Sequence, residues 1–160
     1  MIRDDARVLI LGSMPGVASL AAGQYYAHPR NQFWPIMGQL CGAQHALPYA
    51  ARLARLQQHG IALWDALAAC VRRGSLDAAI DPASAVANDL PALLHRHRGI
   101  ALVCCNGATA HRILLRHHGA ELAASLPWVR CLRLPSTSPA NAGASPAEKL
   151  SAWRAAISRA

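Results

Sequence analysis

The sequence predicts a three-layer α/β/α fold built on a four-stranded parallel sheet. Short runs of strand length and largely apolar character fall at residues 8–11, 61–64, 100–104 and 128–134. The first three lack the polar alternation of a half-exposed strand, as strands buried on both faces require. Helical segments separate the runs, and strands alternating with helices call for a parallel sheet with crossovers. No repeat, low-complexity tract or linker divides the 160 residues, so a single domain over 1–160 is expected.

In chain order, Val8-Leu9-Ile10-Leu11 is the first strand, broken by Gly12-Ser13-Met14-Pro15-Gly16, a turn composition. Residues 17–22 make a helical turn that Gly23 ends. Residues 33–40 form a second short helix, with Pro35 tolerated in its first turn. Residues 48–59 carry apolar side chains at helical spacing, and Gly60 stops them. After the second strand, Asp65 is expected to cap a helix that Gly74 ends. Residues 75–87 read as irregular, 88–97 as a helix closed by Gly99, and 108–118 as a helix closed by Gly119. Ser145-Pro146-Ala147-Glu148 places a cap, an N1 proline and a capping-box glutamate in register, so the last helix runs from there to about Ser158.

In an open α/β sheet, ligands bind outside the carboxyl ends of the strands. Three of the four predicted strands end there in polar loops: residues 12–16, Asn106-Gly107, and 135–141. The stretch after the first loop, Tyr25-Tyr26-Ala27-His28-Pro29-Arg30-Asn31-Gln32-Phe33-Trp34, holds four of the chain's eight aromatic residues. The first loop matches neither a dinucleotide fingerprint nor a Walker loop nor a hydrolase elbow. What it offers is backbone amides suited to a water or a base oxygen. Asn31 as an N-cap would put Pro35 at N4, where its missing N–H should bond the cap's carbonyl. The helix therefore starts after Asn31 and leaves its carboxamide for other work. Asn106 reads equally as a left-handed turn residue before Gly107 or as a functional amide. Ser136, Thr137 and Ser138, stiffened by Pro135 and Pro139, suit a phosphate backbone.

The formal charge is +8, from 15 arginines and one lysine against eight acids, which favours a polyanionic partner. No run of 18 apolar residues exists, and the first five residues lack a signal-peptide core, so a cytoplasmic protein is expected, with no membrane partner. Five scattered cysteines show no paired spacing and read as plain thiols; neither they nor the eight histidines suggest a metal, and no cofactor is expected.

The order of these pieces resembles the uracil-DNA glycosylase superfamily, and within it the hypoxanthine-DNA (deoxyinosine) glycosylases. The resemblance runs from LILGSMPG through YYAHPRNQFW, IALWDALAACVRRGSLD and CCNGATA to LPSTSPANA. It implies the same four-stranded α/β/α fold and metal-free hydrolysis of the N-glycosidic bond of a deaminated base in DNA: hypoxanthine, with uracil or xanthine as further substrates. It implies base excision repair, and a monomer is expected. Ser13 and Met14 occupy the place where related members carry a water-positioning Asn or Asp. Asn31 matches the Asn that takes over catalysis, with Ser13 beside it at the catalytic position. Base contacts fall to Gly12, Met14, Pro15, Gly16, Tyr26, Phe33 (the stacking ring) and Asn106 (the edge reader). DNA contacts fall to His28, Arg30, Ser136, Thr137, Ser138, Pro139, Ala140 and Asn141. Relatives often carry a Leu or Arg wedge where this loop has Pro139, Ala140 and Asn141.

A non-catalytic nucleic-acid-binding module and a small-molecule nucleoside or ester hydrolase are the competing readings. A monofunctional glycosylase is expected because the one lysine, Lys149, reads as a solvated charge on the last helix, away from the loops.

Overall fold

The computed structural model describes residues 2–158. Its centre is a parallel sheet of β1 (Val8–Gly12), β2 (Ile61–Asp65), β5 (Leu102–Asn106) and β6 (Arg130–Leu134), in the order β2-β1-β5-β6. Alternation along β1 divides the core. Val8 and Ile10 face Phe33, Trp34, Met37, Leu56 and Trp153, which come from α2 (Phe33–Cys41), α3 (Tyr49–Gln58) and α6 (Pro146–Ile157). Leu9 and Leu11 face Leu90, Leu93, Leu94, Ala110 and Leu114, from α4 (Leu90–Arg96) and α5 (Ala108–Ser125). The expected three layers and four parallel strands are therefore present. Among the described residues no helix is long and apolar enough to cross a membrane.

Local signals place most ends. The short α1 (Val17–Ala22) stops at Gly23, whose φ of 60° is left-handed. At α6, Ser145 Oγ accepts the Glu148 N–H at 3.2 Å and Glu148 returns a carboxylate to the Ser145 N–H at 2.7 Å, the reciprocal box read from the sequence. All five cysteines are free thiols.

Two expectations fail. No helix follows Asp65. The Ala66 and Leu67 N–H groups donate to the carbonyls of Gly12 and Ser13 at 2.8 and 3.0 Å, which holds the chain extended. It continues as β3 (Leu67–Ala69), antiparallel to β4 (Val86–Ala87). Helix propensity in the alanine-rich run loses to these partners. Between β3 and β4 lie two 3₁₀ turns, Asp77–Ala79 and Pro82–Ser84. Nor does Gly119 close its helix: α5 runs on to Ser125 because Leu122 and then Leu126 bury against the core, which offsets the roughly 1 kcal/mol an interior glycine costs.

Candidate active site

The carboxyl ends of all four sheet strands open on one cavity of about 840 Å³, where Gly12, Asp65, Asn106 and Leu134 form part of the wall. The rest comes from the loop after β1, residues 25–31, the strap 75–77 and the loop after β6. Parallel topology alone brings these segments to one edge.

The segment before α2 is pinned from several sides. Tyr25 donates its backbone N–H to Tyr49 Oη at 3.0 Å, and its carbonyl accepts the Trp34 indole N–H at 3.0 Å. Its phenol donates to Asp65 Oδ2 at 2.9 Å. The next residue, Tyr26, has φ of 55°, left-handed and the only such non-glycine among the described residues, a strain that persists only where the surroundings enforce it. The turn lays the Tyr26 ring on Phe33, with centroids 3.9 Å apart and planes 24° apart. Phe33 is fully buried and absent from the cavity wall; Tyr26 is on it. The stacking face assigned to Phe33 is thus covered, and Tyr26 presents the ring in its place. Burial above all pushes both phenols up, so they remain protonated donors.

Asn31 lies on the cavity wall, and α2 does begin after it. Its carboxamide is not wholly free: Oδ1 accepts the Phe33 N–H at 3.0 Å, satisfying an orphan donor of the first turn. That contact orients the group and leaves its NH₂ without a protein partner among the described residues. Pro35 sits at N3, where no helical N–H bond is lost. His28 and Arg30 also line the cavity, with His28 Nδ1 accepting the Arg30 N–H at 3.2 Å.

In the first loop, Ser13 donates its hydroxyl to Asp77 Oδ1 at 2.8 Å. Asp77 also faces Arg72 at 3.6 Å, and Arg72 donates to the Pro15 carbonyl at 2.6 Å. The Ser13 hydroxyl thus ties the loop to the strap. Gly16 packs on Ser75, whose Oγ would lie 3.2 Å from an added Cβ. Met14, Pro15 and Gly16 all line the cavity, as does Leu76, 58% exposed on the strap.

Asn106 lines the cavity but is held by a neighbour. Its Nδ2 donates to Thr137 Oγ1 at 2.9 Å and its Oδ1 accepts the Thr137 N–H at 2.8 Å. Thr137 is completely buried, and its carbonyl accepts the Gln32 N–H at 2.9 Å. Together they clamp β5, the loop after β6 and the start of α2, which engages the hydroxyl, N–H and carbonyl of Thr137 within the fold. The other hydroxyls serve the loop itself: Ser136 Oγ accepts the Ser138 N–H and Ser138 Oγ the Ala140 N–H, each at 3.2 Å. Asn141 Nδ2 donates to the Ser136 carbonyl at 3.0 Å. Pro139 and Ala140 remain exposed at the tip.

Lys149 also departs from expectation. It is buried, and its ammonium donates to the Asn141 carbonyl at 2.8 Å. The stem inserts beneath the loop because α6 turns that face inward, beside Trp153, whose indole holds the Pro135 carbonyl at 3.0 Å.

Sequence reading missed Asp65. The parallel register sets it beside Gly12, and Oδ1 would lie only 2.9 Å from a Cβ on that glycine. Burial raises its carboxyl to about 6, with the Tyr25 phenol pulling the other way. An acid at the carboxyl end of a parallel strand was the available signal.

The model of the uracil DNA glycosylase superfamily matches residues 1–157. The chain belongs to that superfamily. Its activity is that of a DNA glycosylase, a hydrolase of N-glycosidic bonds. A hypoxanthine DNA glycosylase of Methanosarcina acetivorans is 33% identical over 144 residues, 88% of this chain and 84% of the relative. One of Methanosarcina barkeri is 40% identical over 81 residues, about half of each chain. The solution NMR structure of a candidate uracil DNA glycosylase from Methanosarcina acetivorans superposes with a TM-score of 0.75 at 30% identity, covering 96% of this chain and 92% of the other.

Proposed function

We propose that this DNA glycosylase excises deaminated bases, hypoxanthine foremost, by monofunctional hydrolysis in base excision repair. One observation carries the reading: the first loop, Asn31 and the loop after β6, separate in sequence, line a single cavity whose wall includes an aromatic ring, Tyr26. A base flipped from the duplex stacks on Tyr26 and takes hydrogen bonds from the backbone of residues 12–16. Flipping costs a few kcal/mol and is cheapest at a mispair, so deaminated bases are favoured before the pocket reads them. The relatives named hypoxanthine DNA glycosylase support that choice of base.

Asn31 holds the water that attacks C1′ of the deoxyribose, its carboxamide already oriented by Phe33. The transition state is oxocarbenium-like and asks for a placed water and negative charge more than for a strong base. Arg30 and Arg133 on the wall, with the net charge of +8, bring the phosphate backbone to the mouth.

The test is single-turnover incubation with oligonucleotides containing deoxyinosine, deoxyuridine or deoxyxanthosine, then alkali and size separation. Asn31→Ala should slow excision at least about a hundredfold, the scale of one lost polar group at a developing charge, with DNA binding nearly intact. Release of no base with enzyme in excess refutes the function. Full activity in Asn31→Ala refutes the role of that residue.

A further inference from the structure

We propose that Asp65 is a catalytic carboxylate of this site, acting in its ionised form on the deoxyribose and on the attacking water. The inference rests on the glycosylase reading above. Asn31 is neutral and Ser13 is tied to Asp77, so neither supplies the negative charge that an oxocarbenium-like state requires. The cavity wall holds two carboxylates, Asp65 and Asp77. Asp77 is compensated by the Ser13 hydroxyl and Arg72. Asp65 forms no ion pair among the described residues: Oδ2 takes the Tyr25 phenol, and Oδ1 stands over Gly12 with no donor among them. Only a residue without a side chain at position 12 leaves that oxygen room. A half-buried carboxylate held by one neutral hydrogen bond is costly to the fold, and such groups concentrate where chemistry uses them.

The C1′–N bond breaks and its electron pair leaves with the base. Water oxygen supplies the pair for the new C1′–O bond, and its proton passes to Asp65. Asp65 then gives the proton to the departing base anion or to solvent and returns to its charged form. While the bond is opening, the carboxylate stabilises the positive charge shared by C1′ and the ring oxygen.

The experiment is the pH profile of single-turnover excision from deoxyinosine and deoxyuridine oligonucleotides between pH 5 and 8.5. Among the described residues, the ionisable groups facing Asp65 or the same cavity are Tyr25, Tyr26, His28, Arg30, Asp77 and Arg133. The wild-type rate should fall on the acid side with a midpoint near 6, as Asp65 takes up a proton. Asp65→Asn should lose at least about a hundredfold at pH 7.5 on both bases alike, lack the acid limb, and still bind DNA. Tyr25→Phe removes the hydrogen bond that favours the anion, so its limb should move to higher pH. His28→Gln should leave the limb in place.

Wild-type rates in Asp65→Asn, or a limb that survives in it, overturn the proposal. So does a change in base ranking in place of a uniform loss, which would make Asp65 a reader of the base. Should Asp65→Asn not fold, an unmoved limb in Tyr25→Phe overturns it independently. A wild-type protein that releases no base defeats the glycosylase substrate reading itself, and the role of Asp65 with it.

Discussion

Asp65 should make the protein less stable than it could be, and the size of that effect follows from its surroundings. Burial lifts its carboxyl from an ordinary 3.8 to about 6. Each pH unit between those values is worth about 1.4 kcal/mol, so ionised Asp65 costs the fold about 3 kcal/mol. The sign is set by proton binding. Between pH 4 and 6 the folded chain holds a proton that the unfolded chain has released, so stability falls as pH rises through that window. Below 3.8 both states are protonated and the cost vanishes; above 6 it is complete.

Asp65→Asn removes this titration and leaves every other carboxyl in place. Subtracting the two proteins therefore cancels the rest of the acid titration. The stability of the variant relative to wild type should increase by about 2–3 kcal/mol between pH 4 and pH 7. In a chain of 160 residues that corresponds to about 5–10 °C in Tm. The constant offset from exchanging a charged for a neutral partner of Tyr25 does not affect the difference. Urea unfolding followed by tryptophan fluorescence at pH 4, 5, 6 and 7 measures it. Parallel curves for the two proteins would refute the reasoning, because Asp65 would then titrate in the folded chain as it does in the unfolded one. A variant that is slower yet more stable at neutral pH is the signature of strain kept for function.

Two further outcomes follow from the clamp and the buried lysine. Asn106→Ala strands the N–H of the buried Thr137 and should cost about 2–4 kcal/mol by urea unfolding, with the ranking of bases unchanged; an altered ranking at full stability would restore the edge-reading role. Lys149 holds the Asn141 carbonyl from beneath its loop, so borohydride during turnover should trap no adduct and the abasic strand should stay intact without alkali; an adduct that disappears in Lys149→Ala would show that the amine reaches the sugar.

The sheet was legible because its determinants are local. Short apolar runs mark strands that are buried on both faces, and glycines at left-handed positions mark several helix ends. The segment 66–69 was not legible, because its partners are the carbonyls of Gly12 and Ser13, more than fifty residues back along the chain. An alanine-rich run with an aspartate before it carries every local sign of a capped helix. Only the parallel pairing of β1 with β2 supplies the acceptors that keep it extended. Gly119 misled for the same reason: what decides whether a helix continues past a glycine is whether later residues bury, and Leu122 and Leu126 do.

The candidate site divides along the same line. That loops at the strand ends meet follows from parallel topology, and the loop residues could be named from composition. What each side chain does once there depends on who stands next to it. Tyr26 and Phe33 are both plausible stacking rings seven residues apart, and only the left-handed turn at Tyr26 decides which of them covers the other. Asn106 and Thr137 look like two polar loop residues free to meet DNA until the fold sets them face to face, where each satisfies the other. Asp65 went unnoticed because an aspartate before a helix-like run has a cheap local explanation. Once the register places it beside Gly12, that explanation lapses. A carboxylate with no helix to cap, no ion pair among the described residues and a cavity in front of it is left with the chemistry of the cavity.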